Sequence, residues 1–114
     1  MEFMVILSED PELVATDEQR QAAVQRVGEF AMSLVGEGTL KGGAPLRPAG
    51  EARKVRTREG VRRVLDGPFA EAKEVIAGYF VIDAPGMEAA VAIASRCPNA
   101  EFGSVEVREI VPMG

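Results

Sequence analysis

Six side chains could hold or transform a small ligand: Asp66, Lys73, Glu74, Tyr79, Glu106 and Arg108. Asp66 ends the strand-like stretch "VRRVL" and opens "DGPF". A short carboxylate there can accept hydrogen bonds from backbone N–H groups just downstream and hold the turn. It can equally line a cavity as a base or a ligand acceptor. Lys73 and Glu74 follow in "EAKE". On a solvated turn they form a surface ion cluster of little energetic weight. Folded over a cavity, Lys73 neutralises an anionic ligand, with Asp66 and Glu74 as its partners. Tyr79 is the one tyrosine. Its hydroxyl either donates into a pocket or stays wet above a half-buried ring. Glu106 and Arg108 share a parity in the alternating stretch "SVEVREIVP", so both project from one face of a strand. If that face is covered, the charges either pair across the cover or line a polar cavity.

Other chemistries lack their parts. With 1 Cys and no His, the chain cannot close an internal disulfide or supply a Cys/His zinc site. Ser-His-Asp or Cys-His catalysis has no imidazole base. No cofactor or metal is expected, and no complete catalytic constellation is present, so enzymatic activity is an open question. Cys97 continues the helical apolar pattern of "MEAAVAIASRC" and reads as a small core residue.

At 114 residues the chain is sized for one domain, residues 1–114, with one core. Apolar residues make up 46% and charged ones 27%, a globular balance. No apolar run approaches the ~20 residues that span a bilayer, and the opening "MEFMVILSED" is too acidic for a secretory signal. The expectation is a cytoplasmic protein without a membrane partner. The net charge of -5 opposes a role on nucleic acid, where Lys and Arg must neutralise phosphates. The balance reverses locally: Arg53, Lys54, Arg56, Arg58, Arg62 and Arg63 supply six of the 13 basic residues. Alternating Arg on a strand is a usual mark of a solvated face that protects an edge. No aromatic residue lies between Arg47 and Asp66 to stack single-stranded bases.

The elements that must position these groups follow from periodicity. "EFMVILSE", Glu2 to Glu9, is apolar on both parities, as in a strand covered on both faces. Thr16 with Gln19 makes a capping box. The helix that follows carries Val24, Val27, Phe30, Ala31, Leu34 and Val35 as its apolar stripe, and Gly36 and Gly38 end it. "TLKGGAPLRPAG" reads as a second strand dissolving into a loop. "EARKVRTREGVRRVL" is a β-hairpin turning at Glu59 and Gly60, with Val55 and Thr57 on one face of its first arm and basic residues on the other. A strand follows from Gly78. A second helix opens near Pro85, stops at Pro98 and turns Ala90, Ile93, Ala94 and Cys97 inward. The final strand carries Val105 and Val107 on one face and Glu106, Arg108 and Ile110 on the other. This order predicts an α+β, ferredoxin-like sandwich with an inserted β-hairpin. Two helices roof one face of the sheet, and a second copy is the simplest cover for the other, so a homodimer is expected.

With "LDGPFAEAKEVIAGYFVID" in place, the chain resembles the YCII-related proteins, in the branch named for the DGPF tetrapeptide. The resemblance runs through "EFMVILSE", "GTLKGGAPLRP", the basic hairpin, the helix ending in "RCP" and "GSVEVREI". It implies a single domain of the dimeric α/β-barrel type, bacterial and cytoplasmic, with a ligand cavity and no settled biochemical function. It also implies association with extracytoplasmic-function sigma factors. Relatives outside this branch pair a His with an Asp as a proposed active site; without His, that mechanism does not transfer.

Three functions compete on these residues. The first is a homodimer binding a small, anionic ligand in a cavity near the interface through Asp66, Lys73, Glu74, Tyr79 and Arg108. The second is a protein-interaction module in sigma-factor-linked regulation, docking by the basic hairpin. The third is a lyase or isomerase with Asp66 as base. Phe69 is expected to pack in the core or an interface.

Overall fold

Residues Glu2–Glu9 form strand β1, in which Phe3, Val5, Leu7 and Glu9 are buried while Met4, Ile6 and Ser8 are only half-buried. That two-sided burial is what its apolar parities predict. The computed structural model describes residues 1–67 and 73–113. Pro68 and Phe69 of the DGPF tetrapeptide lie outside the described residues, as does the expectation that Phe69 packs in the core.

Helix α1, Asp17–Gly36, begins at the expected capping box: the Thr16 hydroxyl accepts from the Gln19 N–H, and the Gln19 side chain accepts from the Thr16 N–H. The stripe it buries is Ala23, Phe30 and Leu34, with Val27 and Ala31 partly covered. Val24 and Val35 were expected in that stripe and instead stand in solvent, 62% and 53% exposed. The correction is geometric. Residues 23, 27, 30 and 34 recur every three or four positions along one line, and 24 and 35 sit about 100° around the helix from 23 and 34.

The remaining described elements are β2 (Leu40–Pro45), a single 3-10 turn (Ala49–Glu51), β3 (Arg53–Arg58), β4 (Val61–Asp66), β5 (Val75–Asp83), α2 (Met87–Ala94), α3 (Asn99–Phe102) and β6 (Gly103–Glu109). Among the described residues, four strands make an antiparallel sheet in the order β2-β5-β1-β6, and β3 and β4 pair as a separate ribbon. With the ribbon set aside, the first, second, third and fourth sheet strands stand in the order four-one-three-two. That is the ferredoxin-like arrangement, here with a hairpin inserted between its second and third strands.

Strand β5 starts three residues earlier than the expected Gly78. Val75 and Ile76 pair with Glu9 and Ser8 beyond a register shift at Leu7/Ser8, so backbone pairing with β1 extends the strand through residues whose side chains gave no clear alternation. The second helical stretch also divides. It breaks after Ala94, and Pro98 begins the short α3 rather than ending helix altogether, since proline's fixed φ suits a first helical turn.

The described α-helices α1, α2 and α3 lie on one face of the sheet. There Phe3, Val5, Leu7, Phe80 and Ile82 meet Phe30, Leu34, Ala90, Ala94 and Cys97. The Phe30 and Phe80 rings pack edge to face, centroids 5.8 Å apart. The polar groups on this side are satisfied: Arg20 donates to both oxygens of buried Glu9, at 3.0 and 2.5 Å, and buried Asn99 donates to the Ser8 carbonyl at 3.2 Å.

Candidate functional site

Among the described residues, no α-helix packs on the opposite face of the sheet. Cross-strand register lays its side chains out in rows, because residues directly opposite in an antiparallel pair share a face. One row runs Ala44, Tyr79, Ile6, Glu106; the next runs Gly42, Val81, Met4, Arg108. Tyr79 and Glu106 therefore flank Ile6 from either side, their Cα atoms roughly 10 Å apart across two strand spacings. Arg108 stands two residues along from Glu106, over Met4. A third pairing, Ser8 with Ser104, closes the row at the end where β5 begins.

Four of the residues named from sequence meet here. Tyr79 is half-buried, Glu106 and Arg108 are exposed, and Glu74 reaches the face by accepting a 2.6 Å hydrogen bond from the Ser104 hydroxyl. Among the described residues no carboxylate pairs with Arg108, which leaves its guanidinium free for an anion. Lys73 is exposed just ahead of Glu74. Ser104, Ser8, Met4 and Ile6 were not singled out as site residues from sequence. Their signal was there in the parity of the first and last strands, which puts them on the same side as Arg108.

Asp66 is placed elsewhere. It lies directly across from Arg53 at the open end of the ribbon, and Arg53 Nη1 donates to its Oδ1 at 2.6 Å. With its side chain 76% exposed, Asp66 is the ionic latch of the two arms. The Gly67 N–H donates to the Ala52 carbonyl at 2.8 Å and seals the same junction. The ribbon turn uses Glu59 and Gly60, both at positive φ (53° and 76°), the geometry of a two-residue hairpin loop that matches strand twist.

Two hollows lie away from the open face. One, about 300 Å³, is lined by Arg26, Glu29, Phe30, Ser33, Arg96 and Pro98. The other, about 420 Å³, lies between α2, α3 and β6 and is lined largely by Val91, Ala94, Val105 and Val107. Neither contains Asp66, Lys73, Glu74, Tyr79 or Arg108. Both arginines of the first hollow are already engaged, Arg26 with Glu101 and Arg96 with Glu37 at 2.8 Å. Those bonds hold the Glu37 and Glu101 carboxyls below the usual range and raise both guanidiniums, so the hollow is a strapped helix junction. Cys97 is buried beside Asn99, and desolvation pushes its thiol up against a smaller opposing hydrogen bond from Asn99, the environment of an inert core thiol.

Comparison with known proteins gives this architecture its relatives. A protein of Rhizobium meliloti (strain 1021), itself named as uncharacterized, is 33% identical over 95 residues, spanning 82% of this chain and 77% of its own. Among solved structures, the 5-chloro-2-hydroxyhydroquinone dehydrochlorinase of Burkholderia phenoliruptrix, in complex with 2,5-dihydroxybenzoquinone, superposes with a TM-score of 0.56. The superposition covers 97% of this chain and 94% of that one at 11% identity, a likeness of fold. The model of the YCII-related domain matches residues 1–114, and the chain belongs to the YCII-related family.

Proposed function

We propose that two copies of the chain pack open face to open face and hold a small, anionic ligand between them, seated over Ile6 and Met4. The observation that carries this reading is the uncovered face itself. Apolar Met4, Ile6 and Val81 are interleaved there with Tyr79, Glu106 and an Arg108 that pairs with no described carboxylate. An apolar floor with a few convergent polar groups is the usual make-up of a small-molecule site. Arg108 supplies the charge that receives the anion, Tyr79 a hydroxyl at the other side of the floor, and Glu74, steadied by Ser104, an acceptor at its end. Lys73 stands beside that end as a second cation.

Asp66 lies off this face, at the base of the ribbon. To act as a base it would first have to leave Arg53, which weighs against a lyase or isomerase built on that carboxylate.

The neighbour of like fold was solved with 2,5-dihydroxybenzoquinone, which supports a small oxygenated ring as the probe. Isothermal titration of the wild-type protein with that compound is expected to give saturable binding. Arg108→Met should weaken it at least ~10-fold by removing a charge-assisted contact, and Tyr79→Phe should weaken it less. Equal binding by wild type and Arg108→Met would remove Arg108 from the site.

A further inference from the structure

The β3–β4 ribbon takes no part in the ligand face, yet it is the most unusual surface of the molecule. Every residue of β3 is exposed, and in β4 only Leu65 is half-buried. Val55, Val61 and Val64 are 59%, 51% and 60% exposed. A two-stranded ribbon with neither face packed is marginally stable in water. This one also sets Arg56 directly opposite Arg63, a like-charge pair that opposes the pairing of the arms, with Lys54 and Arg58 on the same face. Among the described residues no carboxylate pairs with Arg56 or Arg63.

The converse stands at the far end of the sheet. Glu2 lies directly opposite Asp83, two acids facing each other on the open side. Asp83 Oδ1 accepts from the N-terminal ammonium at 3.1 Å, and Glu2 has no basic side chain against it among the described residues. The ribbon springs from the end where β2 stops at Pro45 and β5 starts at Val75, whereas Glu2 and Asp83 mark the end where β5 stops. The two like-charge pairs, of opposite sign, thus belong to opposite ends of β5, Arg56/Arg63 to the end where it starts and Glu2/Asp83 to the end where it stops.

That separation matches a symmetric pairing. A two-fold axis lying between two stacked sheets and perpendicular to their strands reverses strand direction, so the ribbon end of each copy comes to the Glu2/Asp83 end of the other. We propose that the ribbon is a clasp for a second copy of this chain: the Arg56/Arg63 pair of one copy seats against the Glu2/Asp83 pair of the other, twice by symmetry. The clasp rests on the face-to-face pairing proposed above and specifies its direction. The charge distribution favours a second copy as the occupant. Residues 53–66 carry six basic and two acidic side chains, and the other 100 residues carry seven basic and sixteen acidic, so the chain itself offers an acidic body to its basic arm.

Sedimentation equilibrium with charge-reversed chains tests it. One chain carries Arg56→Glu with Arg63→Glu; another carries Glu2→Arg with Asp83→Arg. Each alone is expected to dimerise at least ~10-fold more weakly than wild type at low salt, because both contacts become repulsive. An equimolar mixture should recover wild-type affinity as a heterodimer visible by native mass spectrometry, since both contacts are then attractive; that recovery also shows that the reversed chains are folded. Reversed chains that dimerise as tightly as wild type, or a mixture no tighter than its components, would overturn the clasp.

Ile6→Arg separates this outcome from the pairing beneath it. If Ile6→Arg dissociates the dimer and the charge reversals do not, the face pairing stands and the clasp falls. If Ile6→Arg leaves the dimer intact, the face pairing falls and the clasp with it. A wild-type chain that is monomeric at every concentration, its ribbon held by an unrelated acidic protein or by duplex DNA, sinks both.

Discussion

The two faces of the sheet are made by the same strands and read differently at every position. On β1, Phe3, Val5 and Leu7 keep 0%, 1% and 4% of their exposure beneath the helices, while their neighbours Met4, Ile6 and Ser8 stay half-buried. On β1 the covered parity is aliphatic and aromatic until Glu9, which Arg20 holds with two hydrogen bonds. The open face alternates apolar side chains with Tyr79, Glu106 and Arg108. A strand that has to serve one core only can place polar residues on its other parity. That Met4 and Ile6 occupy that other parity on β1 is what the proposed second copy would account for.

Substitutions on the two faces break this contrast to different degrees. Phe3→Ala is expected to cost about 3–5 kcal/mol of stability, as a large ring removed from a packed core, and urea denaturation would measure it. Arg20→Leu comes next, at about 1.5–3 kcal/mol, because Glu9 would be left buried without its charged donor; a comparable loss in Arg20→Lys would indicate that the two-pronged geometry matters as well as the charge. Ile6→Ala on the open face should cost only about 1 kcal/mol in the isolated chain, where the side chain is half-exposed. Its effect should grow with protein concentration if a second copy covers that face, so denaturation midpoints at two concentrations sharpen the comparison directly.

The smallest effect is one of pH. Glu37 and Glu101 have folded values depressed by Arg96 and Arg26, so their contribution is present above the ordinary carboxylate range and is lost as pH falls through the folded values. Both pairs are solvent-exposed, and the expected signature is a small drop in Tm as pH falls through and below the ordinary carboxylate range, which Glu37→Gln with Glu101→Gln flattens.

Much of this was legible in the residues. Strand β1, the capping box, the ribbon and its Glu59–Gly60 turn follow from alternation and local hydrogen-bond chemistry, and the ferredoxin-like order follows from those elements. The missed features depend on partners remote in sequence. Val24 and Val35 satisfy the same helical spacing as the stripe that is buried, and only the position of the sheet decides between the two. Val75 and Ile76 become strand because Ser8 and Glu9 pair with them across a register shift. Within the candidate site, parity placed Arg108 and Glu106 together but said nothing of the latch between Asp66 and Arg53, residues thirteen apart that meet only once the ribbon closes.

Strand β1 has one more consequence. It precedes the other described strands in the chain, and it sits between β5 and β6, with Phe3 opposite Ile82 on one side and Glu109 on the other. Its hydrogen bonds therefore wait for residues 66 to 106 positions downstream. Long-range pairing of this kind slows folding, because loop closure must precede the contacts that reward it. During synthesis the apolar run "FMVIL" has no partner strand until β5 emerges, and α1, which emerges before it, is the element available to shield it.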